Sequence, residues 1–240
     1  MAVRFGEAKR IAMMLPHDRR VSSAPEAKRR SGALGARNAR EKFILCVLPR
    51  RLRRNPLTTL LNRYEVAAAA TAGAIARLVR ARAYDGYVVH SPLDWLDTVD
   101  ACRRIRGFDP NAPLIVFANE RSALEKQDVL AAGAQAYVAR SDDVHNLPGT
   151  AGQLIMLAEL RSLDALSAAG GAMRQKLVAR LAKACEGANG ERAINVRWQL
   201  RLKRDAGRVF AEAGGTRANF ERLWPTLYAN ALSDLGSSDT

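Results

Sequence analysis

His90 stands at the end of an apolar run, YVVHS, and arginines at 50, 51, 53, 54 and 140 follow two other apolar runs. A histidine at a strand end can accept a phosphoryl group or ligate a metal. Either task needs company: a second ligand at motif spacing, or carboxylates to hold a cation. No cysteine or second histidine lies within motif distance, and His17 and His145 fall in unrelated segments. A hydrogen-bonded structural histidine is the simpler expectation. Turned inward, the arginines would favour an anion over a hard cation; turned outward, they would lay their stems along a solvated helix face. Asp94 and Asp97 read as solvated carboxylates at a helix start. There is no glycine-rich phosphate loop, nucleophile elbow or zinc signature. An enzyme is therefore the weakest class, and no catalytic residue, metal or cofactor is assigned.

A second set of residues points to binding rather than reaction. In RAINVRWQLRLKRDAGRVFAEAGG, Arg197, Arg201, Arg204 and Arg208 recur at steps of four, three and four. On a helix that spacing gives one arginine face, with Trp198, Leu202 and Val209 on the other side. Arg217, just after the following glycines, joins the set. The chemistry on offer is contact with nucleic-acid phosphates, against which stands a plain solvated face.

The elements that would carry these residues follow from the hydrophobic pattern. FILCVL, YEVAAAA, YDGYVVHS, APLIVFAN and AQAYVARS read as five strands. Helical segments alternate with them: PLTTLLNRY, AGAIARLVRAR with Ile75, Leu78 and Val79 inward, DWLDTVDACRRIRGF closed by Gly107, and SALEKQDVLAAG closed by Gly133. From Gly149 a long helix begins. Alternation of this kind predicts a parallel sheet with helices on both faces. A short helix over Glu7–Leu15 is conceivable in an otherwise aperiodic, disordered arm. Past AAGGA, three helical stretches form a second unit, the last with Phe220, Leu223, Trp224, Leu227 and Tyr228 as its core face. Helix, glycine turn and helix only loosely match a helix-turn-helix, because Phe210 is bulky and Pro225 kinks or splits the last helix. The predicted divisions are a basic arm over 1–41, an α/β domain over 42–168 and a basic helical unit over 169–240.

Composition narrows the partners. The net charge is +14, with 11 basic against 4 acidic residues over 1–42, 14 against 12 over 43–160 and 13 against 8 over 161–240. Basic ends around a balanced middle suggest a polyanion, nucleic acid before membrane and DNA before RNA. Three widely spaced cysteines fit reduced thiols in the cytoplasm. No apolar run is long enough to span a bilayer.

The run YDGYVVHSPLDWLDTVDACRRIR, with APLIVFAN and AAGAQAYVARS after it, resembles the receiver domain of bacterial response regulators over roughly Lys42 to Leu163. The resemblance implies a flavodoxin-like fold. It also implies positions for the family's phosphorylation chemistry, and the residues there do not suit it. The acidic pair falls on Val47 and Leu48, or on Leu48 and Pro49. The phosphoacceptor falls on His90, the hydroxyl on Ala118, the lysine on Arg140 and the next proline on Ser141. Only the basic residue keeps its charge, so no aspartyl phosphorylation and no Mg²⁺ site are expected. The resemblance also implies pairing of two chains through the last helix of the domain. Leu154, Ile155, Leu157 and Leu160, with Leu163, give that helix more apolar surface than one sheet-facing stripe needs. The expected protein is a non-enzymatic, homodimeric regulator that binds DNA through its C-terminal helices. The alternative is an adaptor that docks a regulatory protein, or RNA, on the receiver fold.

Overall fold

The computed structural model describes residues 42–52, 56–186 and 196–237, without the side chains of 142, 143, 184–186, 196, 197 and 235–237. The N-terminal arm, its possible helix, Arg53 and Arg54 lie outside the described residues. Five strands form one parallel sheet: β1 (Phe43–Val47), β2 (Glu65–Ala69), β3 (Gly86–Ser91), β4 (Leu114–Ala118) and β5 (Ala136–Ala139). Their order is β2-β1-β3-β4-β5, the doubly wound flavodoxin-like arrangement with its switch point between β1 and β3. The three central strands are apolar on both faces because helices cover both.

Alternation along the strands divides the core into two layers. Leu45, Val47, Tyr87, Val89, Leu114 and Val116 face α2 (Ala72–Ala81), α3 (Thr98–Phe108) and α4 (Ala123–Ala131). Ile44, Cys46, Val88, Ile115, Phe117 and Val138 face α1 (Pro56–Leu60) and the start of α6. In α2, Ile75 and Val79 are fully buried and Leu78 packs beside them, as the periodicity predicts. Gly133 does end its helix, at φ +100°, a conformation that side chains resist. Gly107 does not. Helix α3 continues to Phe108 with Asp109 as its C-cap. The helix runs two residues past Arg106, whose guanidinium donates to the carbonyls of Asp109, Pro110, Ala112 and Gly133. The loop beyond the helix is thus wrapped around a side chain within it.

After β5 come the short α5 (Arg140–Asp143), a 3₁₀ turn and α6 (Leu147–Glu186). At 1.5 Å per residue, the 40 residues of α6 reach roughly 60 Å. Its first part covers the sheet through Leu147, Ala151 and Ile155. Its second part, through Ala165, Met173, Leu177 and Leu181, packs against α7 (Val196–Glu212) and α8 (Arg217–Ser237). The boundary drawn at 168 therefore falls inside an unbroken helix. Gly170 and Gly171 cost about 1 kcal/mol each in a helix interior, too little to break one that is packed at both ends.

In the three-helix unit Phe210, Phe220, Trp224 and Tyr228 stack in series with ring centroids 5.8, 5.7 and 5.4 Å apart. Helix α8 runs through Pro225 without splitting. The turn before it uses two glycines for different reasons. Gly214 sits at φ +96°, whereas a Cβ on Gly215 would land inside the Phe210 ring. That ring explains how a bulky residue is accommodated at the turn.

The three-helix unit docks on the sheet at the ends where the strands begin. Asp85, just before β3, accepts from the Phe43 amide at 2.9 Å and from Arg222 at 2.7 Å. Asn111, shortly before β4, donates to the carbonyls of Ala211 (2.7 Å) and Gly215 (3.0 Å). Ser162 of α6 accepts from the Thr216 amide at 3.1 Å and from Asn219 at 2.8 Å. Among the described residues, no helix is long and apolar enough to cross a membrane.

Candidate functional site

The crevice at the opposite ends of the strands is where ligands of such folds bind, and Val47, Leu48, His90, Ala118 and Arg140 all gather there. Val47, Leu48, His90 and Ala118 are buried. Arg140 opens α5 and is exposed. The mouth between β1 and β3 is tied across. Trp95 donates its indole N–H to the Leu48 carbonyl at 2.9 Å, and the Arg50 amide donates to Asp94 at 2.8 Å. The Arg50 and Arg51 side chains point to solvent, so the anion-pocket alternative gains nothing from them. Asp97 is the N-cap of α3, accepting from the Val99 and Asp100 amides.

His90 and Ser91, successive in the strand, face opposite layers. The His90 ring meets Phe117 edge-on, centroids 5.8 Å apart, and its Nδ1 is buried without a partner. Burial pulls the imidazole below its ordinary pKa; the Pro92 backbone opposes this and Arg140 reinforces it. A neutral, half-satisfied imidazole against a phenyl ring is a packing residue with a cost attached.

Ser91 lies in register with Ala118, and its hydroxyl is hydrogen-bonded to Glu125 and, at 3.1 Å, to Thr98. Glu125 also accepts from the Tyr137 hydroxyl at 2.9 Å, and that hydroxyl accepts from the Ser122 amide. Reasoning from the sequence missed this cluster. The signal available was Ser122-x-x-Glu125, the spacing of a capping box. Ser122 does cap α4 by accepting from the Glu125 amide, but the Glu125 carboxylate is drawn instead across the crevice to Ser91 and Tyr137.

The donor set does not fit Mg²⁺, which asks for a cluster of oxygen ligands around an open position. Two of the positions carry alkyl chains, the Leu48 carbonyl is taken by Trp95, and Asp94 and Asp97 are each held by backbone amides. Among the described residues no group of three or more His, Cys, Asp or Glu side chains is placed to hold a metal.

Of the arginine set, Arg201, Arg204 and Arg208 are exposed on the face of α7 opposite Leu202, Ala206 and Phe210. Among the described residues, Arg208 has Glu212 at 3.9 Å, and Asp205 of the same helix acts on both Arg204 and Arg208. Among the described residues, Arg201 and Arg204 have no carboxylate within ion-pairing distance. The Arg197 side chain lies outside the described residues. Arg217 leaves the set, because it turns back onto the α/β unit and donates to the Val79 carbonyl at 2.5 Å. On α6, Ile155 is 6% exposed and belongs to the core beneath the sheet, and Leu154 packs beside it. Ile155 is thereby committed to the core, whereas Leu154 stays half-buried. Leu157 (49%), Leu160 (51%), Leu163 (59%) and Met156 (54%) remain exposed.

No protein-family model matches this chain, and no curated protein matches it by sequence. Solved structures similar to about half of it are receiver domains. One is a CheY-like response regulator receiver domain protein from Methanospirillum hungatei JF-1, at 20% identity and TM-score 0.43, covering 48% of this chain and 94% of that one. Another is the receiver domain of the sensor histidine kinase PA1611 from Pseudomonas aeruginosa PAO1, at 21% and 0.42, covering 48% and 98%. A third, from Clostridium thermocellum, stands at 17% and 0.45, covering 50% and 98%. By its own strand order and layering, the unit that begins at β1 and ends in the first part of α6 has the receiver-type, flavodoxin-like fold, and a three-helix unit follows it on the same unbroken helix.

Proposed function

We propose that this protein is a non-enzymatic regulator that works without phosphorylation and contacts nucleic acid, DNA in the first place, through the exposed face of α7. The single observation behind the reading is the solvent-facing row of Arg201, Arg204 and Arg208, of which Arg201 and Arg204 have no carboxylate within ion-pairing distance among the described residues. Such a row on a chain of net charge +14 suits a phosphate backbone. The crevice supports the other half of the reading: its mouth is tied across and its key positions hold Val47, Leu48, His90 and Ala118.

Binding to duplex DNA measured across a salt series tests the first half. Each neutralised phosphate contributes a log–log slope of about −0.9, so Arg201→Ala with Arg204→Ala should flatten the slope by roughly two units on every sequence alike. Equal slopes for parent and variant would sink the reading. Incubation with Mg²⁺ and a small phosphodonor tests the second half, and no change in mass is expected.

The exposed row Met156, Leu157, Leu160 and Leu163 favours a second reading, in which α6 pairs with another copy or docks a protein partner. Charged replacements at Leu160 and Leu163 would then lower the mass measured by light scattering. A parent that is monomeric at high micromolar concentration removes the homodimer.

A further inference from the structure

A cleft of about 470 Å³ lies where the three-helix unit meets the beginning of the sheet, and its walls are unusually cationic. Arg80 and Arg82 come from the end of α2 and the residue after it. Lys203 comes from α7, and Arg217 and Arg222 from α8. In the lining, Asp85 and Glu221 oppose them, and both are already engaged: Asp85 by Arg222 and the Phe43 amide, Glu221 by Lys203. Glu159 approaches Arg222 at 3.9 Å from α6 but is paired with Lys42. Asp109 lies behind the lining and offsets Arg217, so of the five cations Arg80 and Arg82 are left without a compensating carboxylate among the described residues.

We propose that this cleft binds a compact di- or triphosphate group, free or carried by a nucleotide. Three features define the chemistry. The excess charge matches an anion bearing several charges rather than a single carboxylate. The Arg82 guanidinium carbon sits over the Phe43 ring, 3.3 Å from its centroid, a contact that restrains the group while its N–H donors stay available to a phosphate. Among the described residues, neither Arg80 nor Arg82 has a carboxylate within ion-pairing distance. The volume falls in the range of small-molecule sites, and a recess between two packed units suits a compact ligand better than a rod-like duplex. A ligand here would touch both units and strengthen their docking. The site shares no residue with the arginine row of α7 and stands or falls separately from it.

The test uses the full chain at fixed ionic strength, with pyrophosphate, tripolyphosphate and ATP as probes and sulfate as control. Calorimetry and thermal unfolding should show binding of tripolyphosphate and a rise in Tm, with sulfate far weaker. Arg80→Ala with Arg82→Ala should weaken binding by about tenfold or more. Both side chains are exposed, so the variant should unfold near the parent's ligand-free Tm. Arg80→Ala alone serves if the pair does not fold. Arg201→Ala with Arg204→Ala should bind the probes like the parent. ATP tighter than tripolyphosphate identifies a nucleotide, and equal affinities identify the phosphate chain alone. No binding at millimolar probe, or equal binding by the Arg80/Arg82 variant, overturns the proposal. So does DNA binding that needs Arg80 and Arg82 while the small phosphates are ignored.

Discussion

The two ends of the sheet have been built in opposite ways. At the crevice, Val47, Leu48 and Ala118 place buried apolar side chains at the strand ends, and the loops above are laced by Trp95 and Asp94. At the other end, Asp85, Asp109, Asn111, Arg217, Arg222 and Asn219 meet across the seam between the α/β unit and the three helices. The polar groups at the crevice bond to one another within the α/β unit; those at the seam bond one unit to the other. The comparison teaches that the two units are joined by the unbroken α6 and by the polar contacts of the seam. The crevice has no contact with α7 or α8 among the hydrogen bonds and ion pairs of the described residues.

The largest effect should come from the seam's buried carboxylate. Asp85 is almost wholly covered, and its loss leaves the Phe43 amide without its partner and Arg222 with only Asn219 and, at 3.9 Å, Glu159 among the described residues. Removing one partner of such a pair costs about 3–5 kcal/mol. Asp85→Ala should lower the urea midpoint accordingly, and so should Arg222→Met, which leaves the buried Asp85 carboxylate without its cation. A midpoint for Asp85→Ala within error of the parent's would break the comparison at its strongest point.

Next in size is Gly215→Ala. The added methyl meets the Phe210 ring, which must then leave its place against Phe220. Overpacking of this kind costs about 1–3 kcal/mol. The loss should appear as earlier unfolding of the helical unit, read by tryptophan fluorescence at Trp224. Asn111 also holds the Gly215 carbonyl, so docking should loosen with it.

Much of this was legible beforehand, and the reasons are local. Strand and helix positions follow from periodicity, and the apolar crevice follows from the residue types at 47, 48 and 118. What could not be read depends on direction in space. Ile155 and Leu157 look alike in a helical pattern, and only the sheet beneath α6 separates them. Arg217 matches the arginine row by residue type, but the docking of α8 points it at Val79. Gly107 carries a stop signal, yet α3 runs past it to Phe108 while Arg106 grips the following loop. The seam inside α6 leaves no mark, because the helical period runs through it unchanged. The Ser91–Glu125–Tyr137 cluster joins three elements whose sequences show no relation.

A smaller effect distinguishes the two ends by pH. Burial raises the Asp109 carboxyl from 3.8 to about 6, with the Arg217 backbone, Arg217 and Arg106 offsetting part of the shift, and one of its oxygens has no hydrogen-bond partner. A raised pKa means that the fold favours the protonated acid. Its contribution is complete below about pH 4 and is lost as the pH rises through 6. Asp109→Asn, neutral throughout, should therefore be more stable than the parent at pH 7, with the difference vanishing near pH 4. Urea titrations at several pH values decide it, and a variant weaker than the parent at pH 7 refutes it.

The crevice should answer with the opposite sign and the smallest effect. His90 is held below its ordinary pKa chiefly by burial, so the fold favours the neutral ring. That contribution is present above the usual histidine range and is lost as the pH falls through it. His90→Leu keeps an apolar group against Phe117 and removes the unpartnered Nδ1. Its stability should match the parent's near pH 7.5 and exceed it at pH 5, where the parent must charge a buried imidazole or lose packing. The two sites sit at opposite ends of β3, whose length is roughly 15 Å or more, so their effects should add. The double variant Asp109→Asn with His90→Leu should then show a nearly flat profile from pH 5 to 7.5. If it keeps the parent's full curvature, other groups govern the pH response, and the contrast between the ends does not extend to titration.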